Sequence, residues 1–158
     1  MNPNAQLHRP VSIRPLEMRD RTQWSDLFLQ YAQFYQATMS DTILNRNWSW
    51  LMDPHHSMEA LVAESKDMRL LGIAHFRACP DPLIGLNTGF LDDLFVAHNQ
   101  RGSGIGRSLI TGVTAIAQER GWPVVRWITA DANAQARHLY DKLASATNWV
   151  TYELSVKR

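Results

Sequence analysis

The chain has 158 residues, of which 45% are hydrophobic and 20% charged, with a formal net charge of +1. That length suits one domain able to bury its own core, and a charge so near balance gives no grounds for binding nucleic acid or a polybasic membrane surface. The one cysteine, Cys79, leaves no internal disulfide to form and suits a reducing cytoplasm. Residues 1–10 hold Asn, Gln, His and Arg without an apolar run. They read as a flexible lead-in, neither signal peptide nor membrane span, ahead of a single domain over 11–158.

Val11-Ser12-Ile13-Arg14 alternates apolar and polar residues before Pro15, predicting a first strand that stops near the proline. Over 20–36, Trp24, Leu27, Phe28, Tyr31, Phe34 and Tyr35 recur at helical spacing and predict an aromatic-faced helix. A shorter helix is expected over 41–51, with Asp41 as N-cap and Asp53-Pro54 as its stop, and 53–59 reads as loop. Residues 60–64 and 70–77 are strand candidates joined by the polar turn Ser65-Lys66-Asp67. Cys79-Pro80-Asp81-Pro82 ends the second, a loop follows through Gly85 and Asn87, and a third strand is expected over 89–97.

Next come a glycine-rich turn, residues 101–107, and an amphipathic helix on which Ile105, Leu109, Val113, Ile116 and Ala117 form one stripe. Gly121 accepts the left-handed conformation that ends a helix, and Pro123 follows. Residues 124–129 predict a strand parallel to its predecessor through a right-handed crossover. Asp131 or Asn133 caps the next helix, whose stripe is Ala136, Leu139, Tyr140 and Leu143, and 149–156 alternate as a last strand. The order β-α-α-β-β-β-α-β-α-β predicts a mixed α/β fold, an antiparallel meander joined to a parallel pair and flanked by about four helices.

Gly102, Gly104 and Gly106 lack Cβ atoms, so the backbone can approach a bound group and the first N–H donors of the helix stay uncovered. Those donors and the positive end of the helix dipole favour phosphate. A dinucleotide fold needs Gly-x-Gly-x-x-Gly directly after the strand, whereas several residues precede Gly102 and Arg107 holds the third glycine's place. A nucleoside-triphosphate loop fails for want of a lysine followed by Ser or Thr. The pyrophosphate of coenzyme A fits better, with Arg101 and Arg107 either adding charge there or lying solvated at the surface. His55-His56 has neither the helical spacing nor a cysteine partner for a metal, and His75 and His98 stand alone, so no metal site is expected.

Arg101-x-x-Gly104-x-Gly106, after the strand ending Phe95-Val96, resembles motif A of the GNAT superfamily of acetyl-CoA-dependent N-acetyltransferases. Asn133…Ala136-Arg137-x-Leu139-Tyr140-Asp141-Lys142-Leu143 resembles its motif B, and the likeness spans residues 11–152. Leu91-Asp92-Asp93-Leu94-Phe95-Val96, Trp127-Ile128-Thr129 and Tyr140-Asp141-Lys142-Leu143-Ala144 look most like the subgroup of diamine acetyltransferases and fungal histone, polyamine and D-amino-acid acetyltransferases. The resemblance implies a cytosolic homodimer that moves an acetyl group from acetyl-CoA to a primary amine of a small polyamine- or amino-acid-like molecule, by direct attack in a ternary complex. The alternatives are a protein lysine or N-terminal acetyltransferase, or a non-catalytic acyl-CoA-binding or sensor module. One departure is plain: many members follow the motif B helix with Gly-Phe, where this chain has Ala144-Ser145-Ala146-Thr147-Asn148-Trp149.

The plain reading of Tyr140 is a core tyrosine on its stripe; the resemblance makes it the tyrosine that protonates the departing sulfur, a phenol of pKa ~10 serving a thiol of ~8.5. Asn133 reads both as helix cap and as coenzyme contact. Asp92 and Asp93 are neighbours in a strand, so alternation points them to opposite faces and only one meets the substrate. Asp92 matches the position where diamine acetyltransferases carry Glu, which implies a general base working through water, although either aspartate could simply pair with an arginine. By the same resemblance, backbone N–H groups of Leu94, Phe95 and Val96 hold the pantetheine and polarise the thioester carbonyl. Arg101, Gly102, Ser103, Gly104, Ile105, Gly106 and Arg107 hold the pyrophosphate. The aromatic stripe is core first; the family likeness adds that the first two helices wall the acceptor site, so Tyr31, Tyr35 and Trp48 would meet the amine by cation–π contact, with Asp93 as a further acceptor contact.

Overall fold

The alternation of Val11–Pro15 makes β1 the first strand of a five-stranded sheet, followed by β2 (Met58–Ser65), β3 (Leu70–Asp81), β4 (Leu86–Val96) and β5 (Val125–Arg126), in the spatial order of their numbers. β1 to β4 are antiparallel, and β5 lies parallel to β4. The computed structural model describes residues 11–156, so the expected lead-in lies outside the described residues. The chain divides into two compact units, the first ending at Trp127 and the second beginning at Ile128. With four α-helices among the described residues, this is the mixed α/β arrangement expected, a meander joined to a parallel pair.

In the first unit the helices α1 (Arg21–Phe34), α2 (Asp41–Met52) and α3 (Ile105–Glu119) cover the sheet. Trp24, Leu27 and Phe28 of α1 and Leu44 of α2 pack with Val62, Ile73 and Phe95. On α3, Ile105, Leu109, Ile110, Val113 and Ala117 are buried, each large apolar side chain contributing about 1.5–3 kcal/mol. A Cβ at Gly112 would stand 2.9 Å from both Ile13 Cγ2 and Leu61 Cδ1, so α3 lies against β1 and β2. Leu61 and Val62 are consecutive on β2, and one meets α3 while the other meets α1; the two helices therefore lie on opposite faces.

Local chemistry sets most ends. Gly121 has φ +70° behind α3, and Trp122 N–H donates to the Ala117 carbonyl at 2.8 Å, closing the helix as expected. The cap of α2 is Ser40, whose Oγ accepts from Ile43 N–H at 3.3 Å; Asp41, the expected cap, is instead the first helical residue, where its charge suits the helix dipole. Phe34 and Tyr35, expected on the buried face of α1, are exposed because the helix ends there. The loop expected through 79–88 is a hairpin turn over 82–85: the Asp81 carbonyl accepts from Gly85 N–H at 2.9 Å and its Oδ1 from Leu83 N–H at 3.2 Å, carrying both strands past Pro80. β5 covers only two of the six residues expected.

In the second unit α4 (Ala134–Tyr140) is capped by Asn133, whose Oδ1 accepts from Ala136 N–H at 3.3 Å. Ala136, Leu139, Tyr140 and Leu143 are half-buried among exposed neighbours, which matches the expected stripe. The strand expected over 149–156 is not formed, and Trp149, Tyr152, Leu154 and Val156 are exposed. Alternation supplies a strand's side-chain pattern, but a strand also needs a second segment to pair with, and among the described residues none pairs with 149–156.

Candidate functional site

β3 and β4 pair regularly from Gly72↔Val96 to His75↔Asp93, and then the ladder slips so that Phe76 opposes Leu91. Asp92 is the extra residue of a β-bulge. Asp93 Oδ2 lies 2.8 Å from His75 Nδ1, while Arg77 Nε donates to both oxygens of Asp92 at 3.2 and 3.1 Å. His75 and Arg77 are two residues apart on β3 and share a face, the one covered by α1. Both carboxyl groups therefore reach the same face. The expectation that Asp92 and Asp93 point apart is overturned, because strict alternation ends where a residue is inserted. The plain alternative, an arginine partner for either aspartate, describes Asp92; Asp93 has a histidine. Burial pushes the Asp92 carboxyl above its ordinary value, with Arg77 pulling it down and the neighbouring Asp93 charge pushing it up.

Behind this pair lies a buried layer absent from the sequence-based site. Trp24 Nε1 donates to His75 Nε2 at 2.9 Å, and the Phe28 ring meets the imidazole edge-on at 4.9 Å. The Arg77 guanidinium lies 5.0 Å over the Phe90 ring. Counting residues back from the 82–85 turn would have set β3 residues opposite the aspartates, but the bulge moves that count by one. Tyr31 stacks with Phe28 and meets Phe95 edge-on, both at 6.0 Å, and Trp48 packs 5.2 Å from Trp24. These two expected acceptor residues thus join the wall around His75, whereas Tyr35 lies at its outer end, 5.0 Å from Tyr31. The cation over Trp48 is the chain's own Arg21, at 5.1 Å.

The glycine turn owes its shape to backbone dihedrals. Gly102 and Gly104 have φ of +78° and +86°, and a Cβ on either would meet nothing within 4 Å. Gly104 is the N-cap of α3 and offers no side-chain bond. Ser108 N–H makes the first helical bond, 3.0 Å to the Gly104 carbonyl, so the N–H groups of Ile105, Gly106 and Arg107 point out of the helix end. The Ile105 side chain is core, and its contribution outward is that N–H. Arg107 is exposed, while Arg101 is drawn inward, its Nε donating to the Val96 carbonyl at 3.4 Å and its guanidinium 5.2 Å from Phe34 and 5.5 Å from Phe95. Ser103 Oγ donates to the Gln100 carbonyl at 2.5 Å.

β5 pairs only with Gly89 and Phe90 of β4. Ala97 N–H donates to Leu71 on the β3 side at 2.9 Å, so alternation turns Phe95 inward as well and sets the backbones of Leu94 and Val96 toward the other edge. Of the three expected backbone contacts, those two face outward. In the second unit, Asn133, Ala136 and Tyr140 recur at helical spacing on one side of α4, and the Asn133 amide also donates to Thr129 Oγ1 at 3.3 Å. His55 is exposed and His56 stacks on Trp50; among the described residues no group of three or more His, Cys, Asp or Glu could hold a metal.

Residues 17–144 match the acetyltransferase (GNAT) family. The chain is 27% identical over 152 residues to D-amino-acid N-acetyltransferase HPA3 of Saccharomyces cerevisiae, covering 96% of this chain and 94% of that protein. It is 31% identical to the ribosomal-protein-alanine N-acetyltransferase of Brucella melitensis biovar Abortus 2308, with a TM-score of 0.80 over 93% of this chain and 99% of the other. It shares the fold of aminoglycoside N-acetyltransferase AAC(6')-Iy, solved in complex with CoA, at 19% identity and a TM-score of 0.77 over 92% of this chain and 95% of that one. The chain belongs to the acetyltransferase (GNAT) family and is an N-acetyltransferase, moving an acetyl group to an amine.

Proposed function

We propose that the enzyme acetylates the primary amine of a small polyamine- or amino-acid-like molecule by direct attack in a ternary complex with acetyl-CoA. The observation that carries this reading is the bulge at Asp92, which brings two carboxyl groups to one aromatic-walled face. Arg77 pairs with Asp92, and the carboxylate of Asp93, held by His75 rather than by an arginine, complements one ammonium group. Asp92 takes the proton that the ammonium must lose before attack; a carboxyl raised by burial is a stronger base than an ordinary one.

The chain fits coenzyme A in two places. The outward N–H groups of Ile105, Gly106 and Arg107, with the glycines at positive φ and the exposed Arg107, suit a pyrophosphate. The outward backbones of Leu94 and Val96 suit the pantetheine and polarise the reacting carbonyl. Acetyl-CoA supplies the activated acyl group. Asn133 contacts the coenzyme, and Tyr140 gives its hydroxyl proton to the departing sulfur. We take residues 11–158 as one acetyltransferase domain, cytoplasmic and homodimeric: the half-buried thiol of Cys79 suits a reducing compartment, and exposed Trp149, Tyr152 and Leu154 are surface that a second copy would cover. No helix among the described residues is long and apolar enough to cross a membrane.

A second reading, the N-terminal amine of a protein as acceptor, is favoured by the 31% identity to the ribosomal-protein-alanine enzyme. Thiol release measured over diamines, D- and L-amino acids and an alanine-starting peptide separates the two. Turnover on a small amine is the expected result, and turnover on the peptide alone selects the second reading. Asp92→Asn is expected to lower kcat about 10²–10⁴-fold with acetyl-CoA binding unchanged, and Tyr140→Phe to lower it likewise. Wild-type turnover in both variants across pH removes these roles.

A further inference from the structure

His75 is buried, with both ring nitrogens engaged, and the proposed transfer uses neither. An indole N–H can only donate, so Nε2, 2.9 Å from Trp24 Nε1, is an acceptor and the imidazole proton sits on Nδ1, 2.8 Å from Asp93 Oδ2. With both nitrogens held in this way, what the imidazole can do is hold its neighbour. Trp24 is fully buried, Phe28 closes the ring's edge, and the backbones of His75 and Asp93 pair directly, so the donor is aimed from a rigid core. Of the charged groups nearby, Asp92 and Arg77 pair with each other, Arg101 lies over Phe95 and Arg21 over Trp24 and Trp48, and the side chain bonded to Asp93 is that of His75.

We infer that His75, locked in its Nδ1–H tautomer by Trp24, is a positioning residue that fixes Asp93 as the anionic anchor for the acceptor's ammonium group. The inference rests on the acceptor face proposed above and divides it: Asp93 binds the cation and Asp92 takes its proton. Asp93 keeps 23% of its side chain exposed, enough to meet a ligand while its other side is tied down. A neutral donor suits that task, because a protonated histidine would cancel the charge that attracts the amine.

The test combines kinetics with a spectroscopic signature. In wild-type protein, ¹⁵N spectra of His75 are expected to show a protonated Nδ1 and an unprotonated, hydrogen-bonded Nε2. His75→Leu and Asp93→Asn are each expected to raise the KM of the amine about tenfold or more, with the KM of acetyl-CoA unchanged and a smaller effect on kcat. His75→Asn, whose amide can stand where Nδ1–H stood, is expected to recover most of the loss. Circular dichroism and CoA binding confirm that each variant is folded. An Nε2–H tautomer in the wild type overturns the inference without any variant. So does an unchanged amine KM in folded His75→Leu and Asp93→Asn, even while wild type transfers acetyl groups and Asp92→Asn does not. A wild type that acetylates no amine removes the proposed acceptor face and the inference with it.

Discussion

Replacing Arg77 by leucine removes the guanidinium that holds both oxygens of Asp92 at 3.1 and 3.2 Å. Near 3 Å, two unit charges attract by roughly 5 kcal/mol at an effective dielectric of about 20 and by roughly 1.3 kcal/mol in bulk water. The Arg77 side chain is 35% exposed and that of Asp92 22%, so solvent screening draws the interaction toward the lower figure. A loss of about 1–2 kcal/mol corresponds to about one pKa unit. The sign follows from the two main influences on the carboxyl: burial raises its pKa and Arg77 lowers it, so the variant keeps only the rise. The ionised form accepts the proton, hence the acidic limb of kcat/KM against pH is expected to move up by about one unit. Measuring wild type and Arg77→Leu with the same amine cancels the titration of the amine itself. A limb that superimposes on the wild-type limb, or moves to lower pH, refutes Asp92 as the titrating base.

Gly104→Ala puts a Cβ on a residue at φ +86° and is expected to cost about 1–2 kcal/mol, lowering the melting temperature and weakening CoA binding in calorimetry. Gly112→Val drives a side chain into Ile13 and Leu61, 2.9 Å from the first added carbon, and should lower the urea midpoint by the equivalent of about 1–3 kcal/mol. Asp20 is buried; burial pushes its carboxyl up, but the two Arg14 bonds and the Glu17 N–H outweigh that and hold it below the usual range. Its stabilisation is complete above the unfolded-state pKa of about 4 and is lost as pH falls through the lower folded value. Asp20→Asn is expected to cost about 3 kcal/mol near neutral pH and progressively less in acid, read from urea titrations at several pH values.

The α3 stripe and its closure at Gly121 could be read from the chain because both depend on residues within a few positions of one another. The cap of α2 was missed by one residue, since Ser40 and Asp41 both have capping chemistry and only the backbone at Ser40 is extended. Residues 149–156 have the right alternation for a strand, yet pairing is a property of two segments, and alternation reports on one. The candidate site shows the same division. The glycine turn at 101–107 and the strand that carries Asp92 and Asp93 were legible from local pattern, whereas His75 and Arg77 enter only through register. That register was hidden twice, first by reading 79–88 as loop and then by the inserted residue at 92.

The bulge also reverses the reading frame of its strand. Before it, Phe90 shares a face with Asp92's partner Arg77; after it, Asp93 and Phe95 carry that face, so even-numbered positions give way to odd ones. A deletion elsewhere in β4 would turn one flank inside out. Deleting Asp92 alone would bring Leu91 opposite Phe76 and Asp93 opposite His75 in an unbroken ladder, keeping every other pair. The strand is thus built so that the one residue proposed to take the proton is also the one whose removal leaves the sheet more regular than it was.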